Sequence, residues 1–211
     1  MQHLVPFIVS IALFLSLPIP TATSTHEVKP THIVCIDAGH GADDSGATYQ
    51  DLTEAAITLD IAQKLHGLLK KQGYQIVLTR PDANADPTNS ERAEICNKGH
   101  AQALISIHLN YNDDTTLDYT QGLYGMGNED KDKKFADFMT HSVSSKLGVP
   151  NGETTDFDSN LMHKANMPAT LLEVVFLTSP QEYPLLKDGT RQQQIAEAID
   201  AGIMQWFQKK K

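Results

Sequence analysis

The fold turns on Ile33-Val34-Cys35-Ile36-Asp37-Ala38-Gly39-His40-Gly41, read together with Ala103-Leu104-Ile105-Ser106-Ile107-His108. Each is an apolar run of strand length that closes on a histidine where the chain turns polar. A run with no polar face belongs to a strand covered on both sides, as in a parallel sheet. In such sheets the crevice beyond the carboxyl ends of the strands is where ligands bind. Two histidines delivered there from separate strands are well placed to share a metal ion. One alone would read as a core or capping residue; a second, with Glu54 following His40 by 14 positions, favours a site.

Outward from these runs, strands and helices alternate. Residues 32–38 form the first strand, and 52–69 show apolar residues at helical spacing (Ile57, Ile61, Leu65, Leu68) before Gly73, a natural stop. A second strand over 75–79 is followed by a loop, a short helix from Ser90 as cap to Lys98, and the third strand at 103–107. A short strand near 122–126, a helix over 130–147 ending at Gly148, a loop over 151–160, a buried strand over 169–176 and a helix over 192–208 complete the pattern. This alternation predicts one α/β domain: a mostly parallel twisted sheet of about six strands with helices on both faces.

The chain has 211 residues, with 17 Lys plus Arg against 26 Asp plus Glu and a net charge of −9. Its only basic run, Lys209-Lys210-Lys211, offers no surface for nucleic-acid phosphates, so no nucleic-acid partner is expected. Residues 1–24 read as a signal peptide: an apolar stretch from Phe7 to Leu17, then Pro18, Pro20 and the small residues Thr21 to Ser24. The lack of Lys or Arg before the apolar stretch leaves an uncleaved anchor as the alternative. A linker over 25–31 leads into a catalytic domain over 32–208. The expected location is outside the cytoplasm, periplasmic or extracellular at the cell wall, with no stable membrane insertion after cleavage. Cys35 and Cys96 lie in a strand and a helix, and the reading is two buried thiols rather than a bridge.

Four residues fall at one edge of the inferred sheet: His40, Glu54, His108 and Glu173. Zinc takes neutral imidazole and carboxylate, and a catalytic site keeps three protein ligands with a fourth position open. His40, Glu54 and His108 make such a set, although Glu54 would also suit the first turn of a helix, where an acid meets the dipole. Glu173 interrupts the apolar run Thr170-Leu171-Leu172-Glu173-Val174-Val175-Phe176. A carboxylate there is costly to bury unless paired or bound. It is either half of a structural salt bridge or a general base whose acidity constant is raised toward the working pH. Arg80 and Arg92 read as loop anchors, Asn110 as either a substrate contact or a turn cap, and His163 as a side chain near the cleft.

Taken in order, Ile36-Asp37-Ala38-Gly39-His40-Gly41, Glu54 before a long helix, Leu78-Thr79-Arg80, Glu91-Arg92, Ser106-Ile107-His108-Leu109-Asn110 and Pro168 to Phe176 resemble the zinc-dependent N-acetylmuramoyl-L-alanine amidases of the amidase-3 family. The resemblance spans about 32–207. It implies one Zn2+ per chain held by His40, Glu54 and His108, with Glu173 catalytic and peptidoglycan (a muramyl peptide) as substrate. Ala38, Ala42 and Val174-Val175 depart from the family's commoner residues without removing any of the four. Some relatives carry an extra helix that blocks the site, and Gly148 to Met167 is too short and polar for one, so no protein activator is expected. A zinc peptidase of the stem peptides and a catalytically silent wall-binding module are the competing readings.

Overall fold

The computed structural model describes residues 32–126 and 129–209, so the expected signal peptide and linker lie outside the described residues. The elements in order are β1 (Ile33–Ala38), β2 (Thr48–Tyr49), β3 (Leu52–Thr53), α1 (Glu54–Lys71), β4 (Gln75–Leu78), α2 (Asn89–Lys98) and β5 (Ala103–Asn110). They continue with β6 (Gln121–Gly125), a π-turn over Glu129–Lys133 that runs into α3 (Lys134–Leu147), β7 (Thr155–Phe157), α4 (Asn160–Lys164), β8 (Ala169–Phe176), α5 (Glu182–Lys187) and α6 (Thr190–Lys209). Six strands form one sheet in the order β4-β1-β5-β8-β6-β7. The first four run parallel, while β6 pairs antiparallel with β8. This is the expected mostly parallel sheet, and β2 and β3 add a separate two-stranded ribbon.

Strand alternation assigns β1 to both faces. Val34, Ile36 and Ala38 join the larger core beneath α1, α3 and α6, whereas Cys35 points to the smaller one beneath α2 and α4. In α1 the buried stripe is Ile57, Ile61, Leu65 and Leu69, with Leu68 only partly buried. Each such side chain contributes roughly 1.5–3 kcal/mol by leaving water.

Three local expectations are corrected. Thr88, not Ser90, caps α2: its hydroxyl accepts from Glu91 N, and the Glu91 carboxylate returns to Thr88 N at 2.8 Å. A reciprocal capping box outranks a lone serine because it satisfies two orphan donors. The loop over 151–160 contains the short strand β7 and leads straight into α4. Cys35 and Cys96 form a disulfide, with their Cα atoms 5.5 Å apart. A strand and a helix accommodate the bond because α2 lies across the face to which Cys35 points.

Candidate metal centre

The centre is built where β1, β5 and β8, three adjacent parallel strands, end on the same edge. Past β1 the backbone folds back through His40, itself in the left-handed region at φ 61°. Gly39 must lack a side chain here, since a Cβ would sit 2.4 Å from the His108 ring. Gly46 is equally constrained. Its φ is +63°, and a Cβ would lie 2.5 Å from His40 Cδ2 and 2.7 Å from Glu54 Oε2.

His108 comes from β5, and Glu54 is the first residue of α1. The Glu54 carboxylate is buried and spans both rings. Oε1 lies 2.9 Å from His108 Nδ1 and accepts from Leu109 N, while Oε2 lies 3.1 Å from His40 Nε2 and accepts from Ala47 N. One ligand atom from each of His40, Glu54 and His108 falls within 4.8 Å of the others, so this trio can hold a metal ion. Asp44 completes the arrangement: its Oδ2 is 2.7 Å from His40 Nδ1, which turns Nε2 toward Glu54. A carboxylate behind a ligating imidazole fixes its tautomer and raises its basicity. Asp44 was not picked out from the sequence, although its place four residues after His40 was the available signal.

The electrostatics suit a cation. Burial disfavours charge on His40, but the hydrogen bonds and charges of Glu54 and Asp44 outweigh it and push the ring up to about 9. Burial works against ionised Glu54 as well, yet hydrogen bonds from His108 and His40 hold its carboxyl well below the usual range. Two rings gathered around one ionised carboxylate form a donor set of the kind zinc accepts.

Glu173 faces this trio from β8, in register with His108 of β5. Among the described residues it makes no salt bridge, and its buried Oε2 has no hydrogen-bond partner, which removes the structural ion pair as its explanation. Burial, opposed by the nearby histidines, raises its carboxyl to about 7. All four residues line one cleft of about 680 Å3. Leu123, Phe157, Leu161 and Leu171 give it an apolar side, and Thr88, Asn89 and Asn110 also line it. Phe157 is 40% exposed and Tyr111 46%, both on this cleft. His163 is not among the lining residues; it pairs with Asp158 at 2.8 Å on the surface of α4. Arg80 and Arg92 anchor loops as expected, the first entirely buried.

The family described as N-acetylmuramoyl-L-alanine amidase matches residues 34–205. The germination-specific N-acetylmuramoyl-L-alanine amidase of Bacillus subtilis is 28% identical over 192 residues, covering 84% of this chain and 81% of that protein. The solved structure of the amidase AmiC2 of Nostoc punctiforme is 30% identical and superposes with a TM-score of 0.77, over 85% of this chain and 99% of that one. The CwlD amidase of Clostridioides difficile, solved in complex with the GerS lipoprotein, is 28% identical, with a TM-score of 0.76 over 84% of this chain and 98% of its own.

Proposed function

The chain belongs to the N-acetylmuramoyl-L-alanine amidase family, and from that premise we propose that it is a zinc-dependent hydrolase of the bond joining the lactyl group of N-acetylmuramic acid to L-alanine. His40, Glu54 and His108 are the proposed ligands of one Zn2+ per chain. Bound there, zinc supplies Lewis acidity, polarising an amide carbonyl and easing deprotonation of an attacking water.

The observation that carries the reading is Glu173, a carboxyl in the cleft wall beside His108 whose buried Oε2 has no hydrogen-bond partner among the described residues. With its carboxyl raised to about 7, it is poised to act as a general base near neutral pH. Glu173 takes a proton from the attacking water as the new C–O bond forms. It returns that proton to the nitrogen as the C–N bond breaks, leaving a lactyl carboxylic acid and a stem with a free L-alanine amine. The apolar side formed by Leu123, Leu161 and Leu171 excludes water from one flank of the reacting bond.

Peptidoglycan lies outside the cytoplasm, so this activity suits the exported reading of residues 1–24. Among the described residues no helix is long and apolar enough to cross a membrane. Between α3 and β8 the only helix is α4, five residues long and packed against α2, which supports a cleft open without an activator. The similar CwlD amidase, by contrast, was solved in complex with the GerS lipoprotein.

The test is digestion of purified cell-wall sacculi by residues 25–211 alone, with and without chelator, followed by mass analysis of the products. Glycan strands and intact stems beginning with L-alanine, lost on chelation, are expected. Cleavage within the stems would make the protein a peptidase, and absence of any cleavage would favour a binding module. Activity appearing only with an added partner would overturn activator independence.

A further inference from the structure

The carbonyls at the end of β1 have an unusual set of donors. Past Ala38 the chain leaves the sheet, so the carbonyls of Ala38, Gly39 and His40 lose the strand partners that would normally satisfy them. Two buried arginines replace those partners, together with the Thr58 hydroxyl, which donates to Gly39 O at 2.9 Å. Arg92 of α2 donates to Ala38 O at 2.7 Å and His40 O at 2.8 Å, and Arg80 donates to Gly39 O at 3.1 Å and Ala38 O at 3.3 Å.

Each guanidinium is itself tied to a second anchor. Arg80 donates to Ala55 O, one residue past Glu54, at 2.8 Å, and so joins the His40 loop to the start of α1. Arg92 donates to Pro87 O at 2.7 Å and to Asp37 Oδ1 at 2.9 Å. Asp37 is held in turn by Ser106 Oγ at 2.6 Å and by the Thr79 hydroxyl. One turn beyond Arg92, Cys96 fastens α2 to Cys35 of β1.

We infer that Arg92 and Arg80 are positioning residues for the metal centre, clamping the His40 backbone in its left-handed turn so that Nε2 meets Glu54 and His108. The inference rests on the metal reading proposed above. An unbraced His40 would relax from φ 61°, a conformation that costs a non-glycine residue energy, and carry its ring away from Glu54. Lysine keeps the charge but offers one ammonium in place of a planar fork, so it cannot reach carbonyls on both sides of the turn together.

The test is zinc affinity, by competition with a chromophoric chelator, in the folded parent and in Arg92→Lys, Arg80→Lys and Val143→Ala. Val143 is buried in α3 outside this network, so its truncation loosens the fold without touching the His40 turn. The cobalt-substituted absorption spectrum reports ligand geometry in the same proteins. Arg92→Lys should weaken zinc binding by about tenfold to a hundredfold, the usual cost of losing an outer-shell partner, and alter the cobalt spectrum, while Val143→Ala leaves both unchanged. Arg80→Lys should do the same, and carries the test if Arg92→Lys does not fold. Parental affinity in the folded arginine variants would overturn the inference and leave the metal reading intact, and so would an equal loss in Val143→Ala. A parent that binds no zinc would overturn the metal reading, and the inference with it.

Discussion

Glu173→Gln should stabilise the metal-free protein and destroy its activity. The carboxyl stands in a cleft wall with Oε2 unpartnered, and burial raises it from an ordinary 4.5 to about 7. A carboxyl raised on folding holds its proton longer in the native state than in the unfolded chain. Stability therefore falls as pH climbs from about 4.5 through about 7, and the loss persists above that window. At 1.36 kcal/mol per unit the full penalty is about 3 kcal/mol. Glutamine has nearly the same shape and no charge to desolvate, so it escapes this term. Urea denaturation of the chelated proteins at pH 5 and pH 8 should show the variant gaining about 2–3 kcal/mol on the parent between the two. Hydrolysis of sacculi with zinc restored should fall by about a hundred- to ten-thousandfold. If the stability difference is flat from pH 5 to pH 8, Glu173 is an ordinary solvated carboxylate and the burial argument is wrong. If activity survives, it is not the base.

Other changes probe the remaining parts of the centre. His108→Ala should leave a folded protein that retains no zinc on elemental analysis; full occupancy would remove His108 from the ligand set. Gly46→Ala forces an L-residue to φ +63°, costing roughly 1–2 kcal/mol. It also drives a methyl into the His40 ring and Glu54, so chelator competition should show weaker zinc binding. Replacing both Cys35 and Cys96 by alanine frees a 61-residue separation, for which the chain-entropy relation gives about 4 kcal/mol. That corresponds to a fall in Tm of roughly 8–16 °C for a domain of this size. A calorimetric shift within about 2 °C would show that the bond adds little to the fold.

Much of this molecule was legible one-dimensionally because the deciding signals are local. Unbroken apolar runs specify strands covered on both faces, and helical spacing at Ile57, Ile61 and Leu65 fixes the inward face of α1. His40 follows the end of β1, His108 lies in the carboxyl half of β5, and Glu173 is paired with His108 from β8, so the parallel register of adjacent strands brings these positions together. Burial of Glu173 also followed from its apolar neighbours, and with it the upward push on its carboxyl.

What escaped the sequence depends on relations between segments. The capping residue of α2 was misplaced by two positions because Ser90 and Thr88 offer similar hydroxyls, and only the backbone path selects the one with a reciprocal glutamate. The Cys35–Cys96 bond required knowing which sheet face α2 covers. Glu54 read equally as a helix-start acid; packing of α1 against β1 and β5 is what carries its carboxylate between two imidazoles. The double arginine clamp follows from where β1 leaves the sheet and strands its carbonyls. Sequence determined which residues are apolar, which can ligate and where strands end, since these are properties of individual side chains and their spacing. Tertiary structure decided which carboxylate faces which ring and which guanidinium braces which carbonyl. Such contacts are short-ranged and directional, and they exist only once distant segments are packed.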